Sequence, residues 1–105
     1  MEKTARYKIV VSDRARQMLT THLGFLARSS PQAARKIKNE IMDAIRSLDE
    51  MPERFPFIAG EFLPPNKYHK LFVQKWYLIL YQIKQQTVHV DYIVDCRQDY
   101  QWLTR

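Results

Sequence analysis

The sequence predicts an α+β fold of order β-α-α-β-β-β, a helix hairpin packed on one face of a small, mostly antiparallel sheet. Three observations carry that expectation. The stretch from Lys67 to Trp102 holds three β-rich runs with only short polar breaks between them. Two segments with helical apolar spacing precede it, divided by Ser29-Ser30-Pro31. A short β-branched run, Arg6 to Val11 (RYKIVV), stands before both. Two helices joined by so short a break form an antiparallel hairpin. Their apolar stripes need a common surface, and the downstream sheet is the only candidate.

Each element has its own local warrant. After Arg6–Val11, either Ser12 or Asp13 can cap a helix. Ala15, Met18, Leu19, His22, Leu23 and Leu26 then fall on one helical stripe. Gly24 interrupts that helix at a cost of about 1 kcal/mol relative to alanine, and close packing of a neighbour is the expected reason. Ser30 followed by Pro31 signals the start of the second helix, whose stripe is Ala34, Ile37, Ile41, Ala44, Ile45 and Leu48. Met51 to Asn66 carries Pro52, Pro56, Pro64, Pro65 and Gly60. A connection this long and this aromatic (Phe55, Phe57, Ile58, Phe62, Leu63) should be pinned to the core. Strands follow at Tyr68–Gln74, Trp76–Ile83 and Val88–Cys96. Lys84-Gln85-Gln86-Thr87 is a hairpin-sized link without the favoured Asn-Gly chemistry. In the last strand Val88, Val90, Tyr92, Val94 and Cys96 alternate with His89, Asp91, Ile93, Asp95 and Arg97, so one face of the sheet is expected to be open.

Composition bounds what such a chain can be. Its 105 residues, 46% hydrophobic and 12% aromatic, make a single domain over 1–105 rather than a disordered tail. No apolar run approaches the ~20 residues of a membrane span, and the amino terminus lacks a signal-peptide core. The lone cysteine, Cys96, cannot form an internal disulfide, which fits a cytoplasmic location. The net charge is +6, and its distribution is uneven. Up to Lys38 there are nine basic residues against two acidic ones, whereas from Asn39 onward eight basic residues face nine acidic. The positive excess therefore lies in the first part of the chain. Such a surface either keeps the protein soluble or attracts a polyanion or an acidic partner.

Several constellations could carry chemistry. His89 and Asp91, with Asp95, are too few and too poorly supported for a zinc site, and Arg97 is available to pair with Asp95, so no metal or other cofactor is expected. A metal-free phosphodiester cleavage needs a base, an acid and cations for the developing phosphorane charge. His69 or His89 could transfer protons near neutral pH, and Arg97 is the best phosphate clamp because its guanidinium can grip two oxygens. Lys70 and Lys75, with Arg14, Arg35 and Lys38 on the helices, could bind phosphates or RNA. Tyr68, Tyr77, Tyr81, Tyr100 and Trp102 could stack on bases, although aromatics at alternating strand positions are more often core. Cys96 shares the face of Val90, Tyr92 and Val94 and reads as an inert buried thiol. His22 reads as a satisfied or edge histidine.

The element order, the chain length and the runs YHKLFVQKWYLILYQI and YIVDCRQDYQWL together resemble the RelE/ParE family of bacterial toxins. These are the toxin halves of type II toxin–antitoxin pairs, often described as plasmid stabilisation proteins. The resemblance implies a cytoplasmic toxin neutralised by a cognate antitoxin, whose segments are commonly acidic or amphipathic. RelE-like members are mRNA interferases, cutting messenger RNA on the ribosome with strand lysines, arginines and a terminal tyrosine. At those positions this chain has His69, Leu71 and Leu78, while Arg97 matches and Tyr100 stands as a loose counterpart of the tyrosine. The resemblance thus implies a metal-free endoribonuclease acting on ribosome and mRNA, with Arg97 as phosphate clamp, His69 as candidate base and Tyr100 as orienting or proton-transfer group. ParE-like members instead inhibit DNA gyrase without being enzymes, and a degenerate, weakly toxic member is the third alternative. The ribonuclease is placed slightly first, because Arg97, His69 and the terminal aromatics are present.

Overall fold

A computed structural model describes residues 6–59 and 64–97. The elements run β1 (Lys8–Val11), α1 (Asp13–Ser29), α2 (Pro31–Arg46), two short 3-10 turns at Ser47–Asp49 and Pro52–Arg54, then β2 (His69–Val73), β3 (Tyr77–Lys84) and β4 (Thr87–Asp95). The sheet order is β1-β4-β3-β2. β4 pairs antiparallel with β3 and β3 with β2, whereas β1 lies parallel to β4. The expected α+β order and the helix layer on a mostly antiparallel sheet are therefore what the protein adopts.

Both helices begin where their caps dictate. The Ser12 hydroxyl accepts from Ala15 N at 3.0 Å, and the Ser30 hydroxyl accepts from Ala33 N at 3.1 Å with Pro31 in the first turn. Each relieves one of the orphan amide donors of a helix start. The buried stripes, Ala15 and His22 on α1 and Ala34, Ile41 and Ile45 on α2, match the apolar spacing. Ala15, Ile41 and Ile45, together with Leu48, cover Leu71, Val73, Tyr77, Ile79, Tyr81, Val88, Val90 and Ile93 of the sheet.

Helix α1 also finishes an edge that β1 leaves incomplete. Pairing of β1 with β4 ends at Val11 and Val90. Beyond that point Ser12 N donates to Val90 O at 2.9 Å, the Ser12 hydroxyl donates to Asp91 O at 3.2 Å, and His22 Nε2 donates to Ile93 O at 3.0 Å. An unpaired strand edge invites association with other chains, and here side chains of the neighbouring helix cover part of it. His22 thus serves the fold at this edge through its Nε2.

The sheet is not open on its other face. Leu78, Leu80 and Val94 are at most 1% exposed and pack with Tyr68, Ile58, Met18, Tyr92 and Cys96 as a second apolar cluster. The strict alternation expected of β4 fails at one residue. Leu80 pairs with Tyr92 but Tyr81 pairs with Val90, so Asp91 is an extra residue in the ladder. A bulge of this kind reverses the parity of everything after it. Ile93 and Asp95 therefore lie on the helix-facing side, while Tyr92, Val94 and Cys96 lie on the other.

The long connection is pinned, as expected from its aromatics. Ile58 N donates to Tyr68 O at 2.8 Å and Lys70 N to Pro56 O at 2.9 Å, so this segment pairs with part of the outer edge of β2. The buried Tyr81 hydroxyl donates to Pro52 O at 2.6 Å. Phe62 and Leu63 lie outside the described residues.

Gly24 departs from expectation. A Cβ built there meets nothing within 4 Å, so no neighbour in the chain requires glycine. Gly24→Ala is expected to stabilise the protein by about 1 kcal/mol, read as a higher midpoint of urea unfolding with an unchanged slope.

Candidate functional site

The end of β4 forms a compact polar cluster. Cys96 N donates to Trp76 O at 2.7 Å, which draws the chain after Asp95 against the β2–β3 turn. The Asp95 carboxylate is only 3% exposed and accepts from Arg97 N at 3.0 Å and Arg97 Nε at 3.3 Å. Arg97 Nη2 donates to the Tyr77 hydroxyl at 3.1 Å. The guanidinium also lies 5.4 Å from the Trp76 ring centre and 5.7 Å from that of Tyr77. The Asp95 hydrogen bond raises the affinity of Arg97 for its proton. Burial, with Asp95 close by, pushes the Tyr77 hydroxyl up, and Arg97 partly counters the shift. Arg97 therefore keeps its charge, but that charge is already engaged by a buried carboxylate.

His69 does not join this cluster. It pairs with Tyr81, whereas Asp95 pairs with Tyr77, which itself pairs with Val73. Four residues of β2 separate those rows, about 13 Å at the rise of a strand. His69 lies on the helix-facing side and is 6% exposed. Its ring stacks on Tyr81 at 5.1 Å and meets Phe57 at 4.2 Å, and Nδ1 donates to Phe55 O at 2.7 Å. Those contacts tie the long connection to β2. The expectation of His69 beside Arg97 is corrected by the register of the two hairpins. Tyr100, and Trp102 with it, lies outside the described residues.

The expected phosphate-binding cations are dispersed. Lys70 is half-buried, and its neighbour Phe72 is exposed on β2. Lys75 sits in the turn Gln74–Trp76, where both Gln74 and Lys75 have positive φ (59° and 74°). Neither residue type favours that region, so the turn carries strain of order 1 kcal/mol per residue. Gln74 Nε2 donates to the Glu40 carboxylate, which anchors the turn to α2. Arg14 on α1 lies over the Tyr92 ring at 5.0 Å and donates to its hydroxyl. Arg35 and Lys38 line a groove between α1 and α2, in the helix layer rather than beside Arg97. Only Lys75 shares an end of the sheet with Arg97.

Asp91 and His89 are also explained by the fold around them. His89 pairs with Gln82 on the partner strand. Asp91 Oδ2 accepts from the Tyr68 hydroxyl at 3.0 Å and from Gln82 Nε2 at 2.7 Å, which locks the bulge. Among the described residues no three His, Cys, Asp or Glu side chains gather in a way that could hold a metal ion. Asp91→Ala is expected to cost about 2 kcal/mol, because it leaves the buried Tyr68 hydroxyl without this acceptor. Urea unfolding of the variant measures that loss.

The register running from Lys84↔Thr87 with one bulge sets Tyr77 opposite Asp95, and so beside Arg97. Without knowledge of the bulge, the count places Val94, not Asp95, opposite Tyr77.

Residues 9–100 match the family of ParE toxins of type II toxin–antitoxin systems, parDE. The chain belongs to that family. Among solved structures, a chain titled as the chromosomal ParDE toxin–antitoxin system from P. aeruginosa is similar with a TM-score of 0.67. The match covers 87% of this chain and 97% of that one at 14% identity, a likeness of fold. No curated protein matches the sequence. This ParE-family chain is thus the toxin component of a toxin–antitoxin pair, and its partner is a cognate antitoxin. No helix among its described residues is long and apolar enough to cross a membrane.

Proposed function

We propose that this ParE-family toxin acts in the cytoplasm by binding and inhibiting DNA gyrase, and that it is not an enzyme itself. The observation that carries this reading is the state of Arg97. Its guanidinium is held by the buried Asp95 carboxylate and the Tyr77 hydroxyl, and His69, the candidate base, is buried four rows away. A ribonuclease needs cations free to meet developing phosphorane charge and a base within hydrogen-bond reach of the 2′-hydroxyl. Membership of the ParE rather than the RelE branch favours the same reading.

The ribonuclease alternative is favoured by one feature, the presence of exposed Lys75 and half-exposed Arg97 at one end of the sheet. The two readings separate in cells. When the chain is induced without antitoxin, gyrase-dependent DNA damage with intact messages is the expected result. In-frame messenger cuts on ribosomes that vanish in Arg97→Ala, with the variant folded, would sink the gyrase reading.

A further inference from the structure

The face of the sheet turned away from the helices has two unlike ends. Toward the β2–β3 turn it is the apolar cluster around Leu78, Leu80 and Val94. Toward the β3–β4 turn it is polar. Ile9, Ile83 and Val88 pack in the helix-side core, so their strand neighbours point the other way. The register then sets Lys8, Thr87 and Lys84 in one row across β1, β4 and β3, with Val10, His89 and Gln82 in the next. Two strand spacings put Lys8 and Lys84 about 10 Å apart at the backbone. Two further cations reach this face from outside the sheet. Arg14 lies over the Tyr92 ring at 5.0 Å and Lys67 over the Tyr68 ring at 5.4 Å. All four cations are exposed, and none has an ion-pair partner among the described residues. The strands place one carboxylate here, Asp91, and Tyr68 and Gln82 already bind it. From Asn39 onward basic and acidic residues nearly cancel in the sequence. Folding separates them, by turning Asp95 to the helix side and bringing Lys8 and Arg14 to the face of Lys67 and Lys84.

We propose that Lys8, Arg14, Lys67 and Lys84 form a surface that binds the phosphate backbone of double-stranded DNA without reading its sequence. The charge of the face calls for a polyanion, and its other features select the kind. A protein partner needs an apolar centre to its interface, and of the exposed large apolar residues described, Val10 alone stands at this end. A single strand needs bare aromatic faces on which bases stack. Here Tyr68 is 7% exposed, and a cation lies over each tyrosine ring. A duplex backbone needs neither, only exposed cations on a rigid platform. Arg14 is held in place by the Tyr92 hydroxyl as well as by the ring, so it has less freedom to lose on binding. The proposal rests on the gyrase reading only for the choice of DNA over duplex RNA, because a toxin at gyrase meets its target on DNA.

The test titrates a short labelled DNA duplex with the full-length toxin, gyrase absent, and follows fluorescence anisotropy at several salt concentrations. Affinity should fall with salt at a log–log slope of about −4, and should not depend on the base sequence. Lys8→Gln with Lys84→Gln should weaken binding at least about tenfold at low salt and reduce the slope by about 2. Both lysines are exposed, so the unfolding temperature should stay that of wild type. If it falls, Lys67→Gln, in the turn before β2, reads the surface instead through a slope reduced by about 1. Arg35→Gln with Lys38→Gln removes the same charge from the helix layer and should change affinity by less than about twofold. Equal weakening by both pairs would reduce the effect to net charge and overturn the proposal. Failure of wild type to bind the duplex at low salt would overturn it as well, as would tighter binding to a single strand or an RNA duplex of the same length. The gyrase reading fails separately, through undisturbed supercoiling. Undisturbed supercoiling with duplex binding that still depends on Lys8 and Lys84 would remove gyrase and leave the DNA surface standing.

Discussion

Raising the pH from 10 to 12 is expected to remove up to about 5 kcal/mol of stability. The source is two buried tyrosines. Burial, reinforced by the hydrogen bond to Asp91, pushes Tyr68 from 10.0 up to about 12. Burial does the same for Tyr81, from 10.0 to about 12. Below pH 10 both folded and unfolded chains hold these protons, and the contribution of the buried neutral hydroxyls is fully present. Above it the unfolded chain releases protons that the folded chain keeps, so stability falls at about 1.4 kcal/mol per pH unit for each group. The fall ends as pH passes the folded values near 12. Because a domain of this size is stable by only about 5–15 kcal/mol, much of the margin disappears in that window. Urea unfolding at pH values across it measures the slope. The double variant Tyr68→Phe with Tyr81→Phe should show a much shallower alkaline loss, even if its neutral-pH stability drops because the Tyr81–Pro52 hydrogen bond is gone. An unchanged slope in the double variant would contradict the assignment.

Breaking the Arg97–Asp95 pair is expected to be the other large effect. Arg97→Ala strands a carboxylate that is 3% exposed, leaving it the Arg97 backbone N–H as a remaining donor. A fully buried pair costs about 3–5 kcal/mol to break in this way. Arg97 is 46% exposed, so solvent screening brings the expected loss to about 1–3 kcal/mol. Asp95→Ala should destabilise comparably, and the double variant should cost less than the sum of the two. The consequence for function is specific. If Arg97 holds the fold rather than a phosphate, toxicity in Arg97 and Asp95 variants should fall together and follow the folded fraction. A stable Arg97 variant that has lost all toxicity, beside a fully toxic Asp95 variant, would assign Arg97 to the target instead.

Much of this architecture was legible because local chemistry and tertiary structure agree. Ser12, Ser30 and Pro31 mark helix starts that need no long-range information. The stripes through Ile41 and Ile45 and the alternation of Val88 with Val90 report which faces meet. What failed was parity and register. Asp91, as one added residue, carries Ile93 from the expected open face to the core, and no residue in the sequence announces a bulge. The turn Gln74–Trp76 adopts positive φ without glycine or asparagine, so its geometry, and with it the separation of His69 from Arg97, could not be read from turn chemistry. The second apolar cluster depends on Ile58 and Tyr68 packing against the sheet, which composition suggested only as a pinned loop. The cost of Gly24 to α1 is plain from the sequence, but in the structure no internal neighbour accounts for it and a groove lies beside it.

The most direct test of the central claim is a supercoiling assay with purified toxin, purified gyrase and relaxed plasmid, run beside translating ribosomes programmed with messenger RNA. Inhibition of supercoiling that the cognate antitoxin reverses, with the messenger left whole, is the predicted result. Undisturbed supercoiling together with messenger cleavage on the ribosome would contradict it.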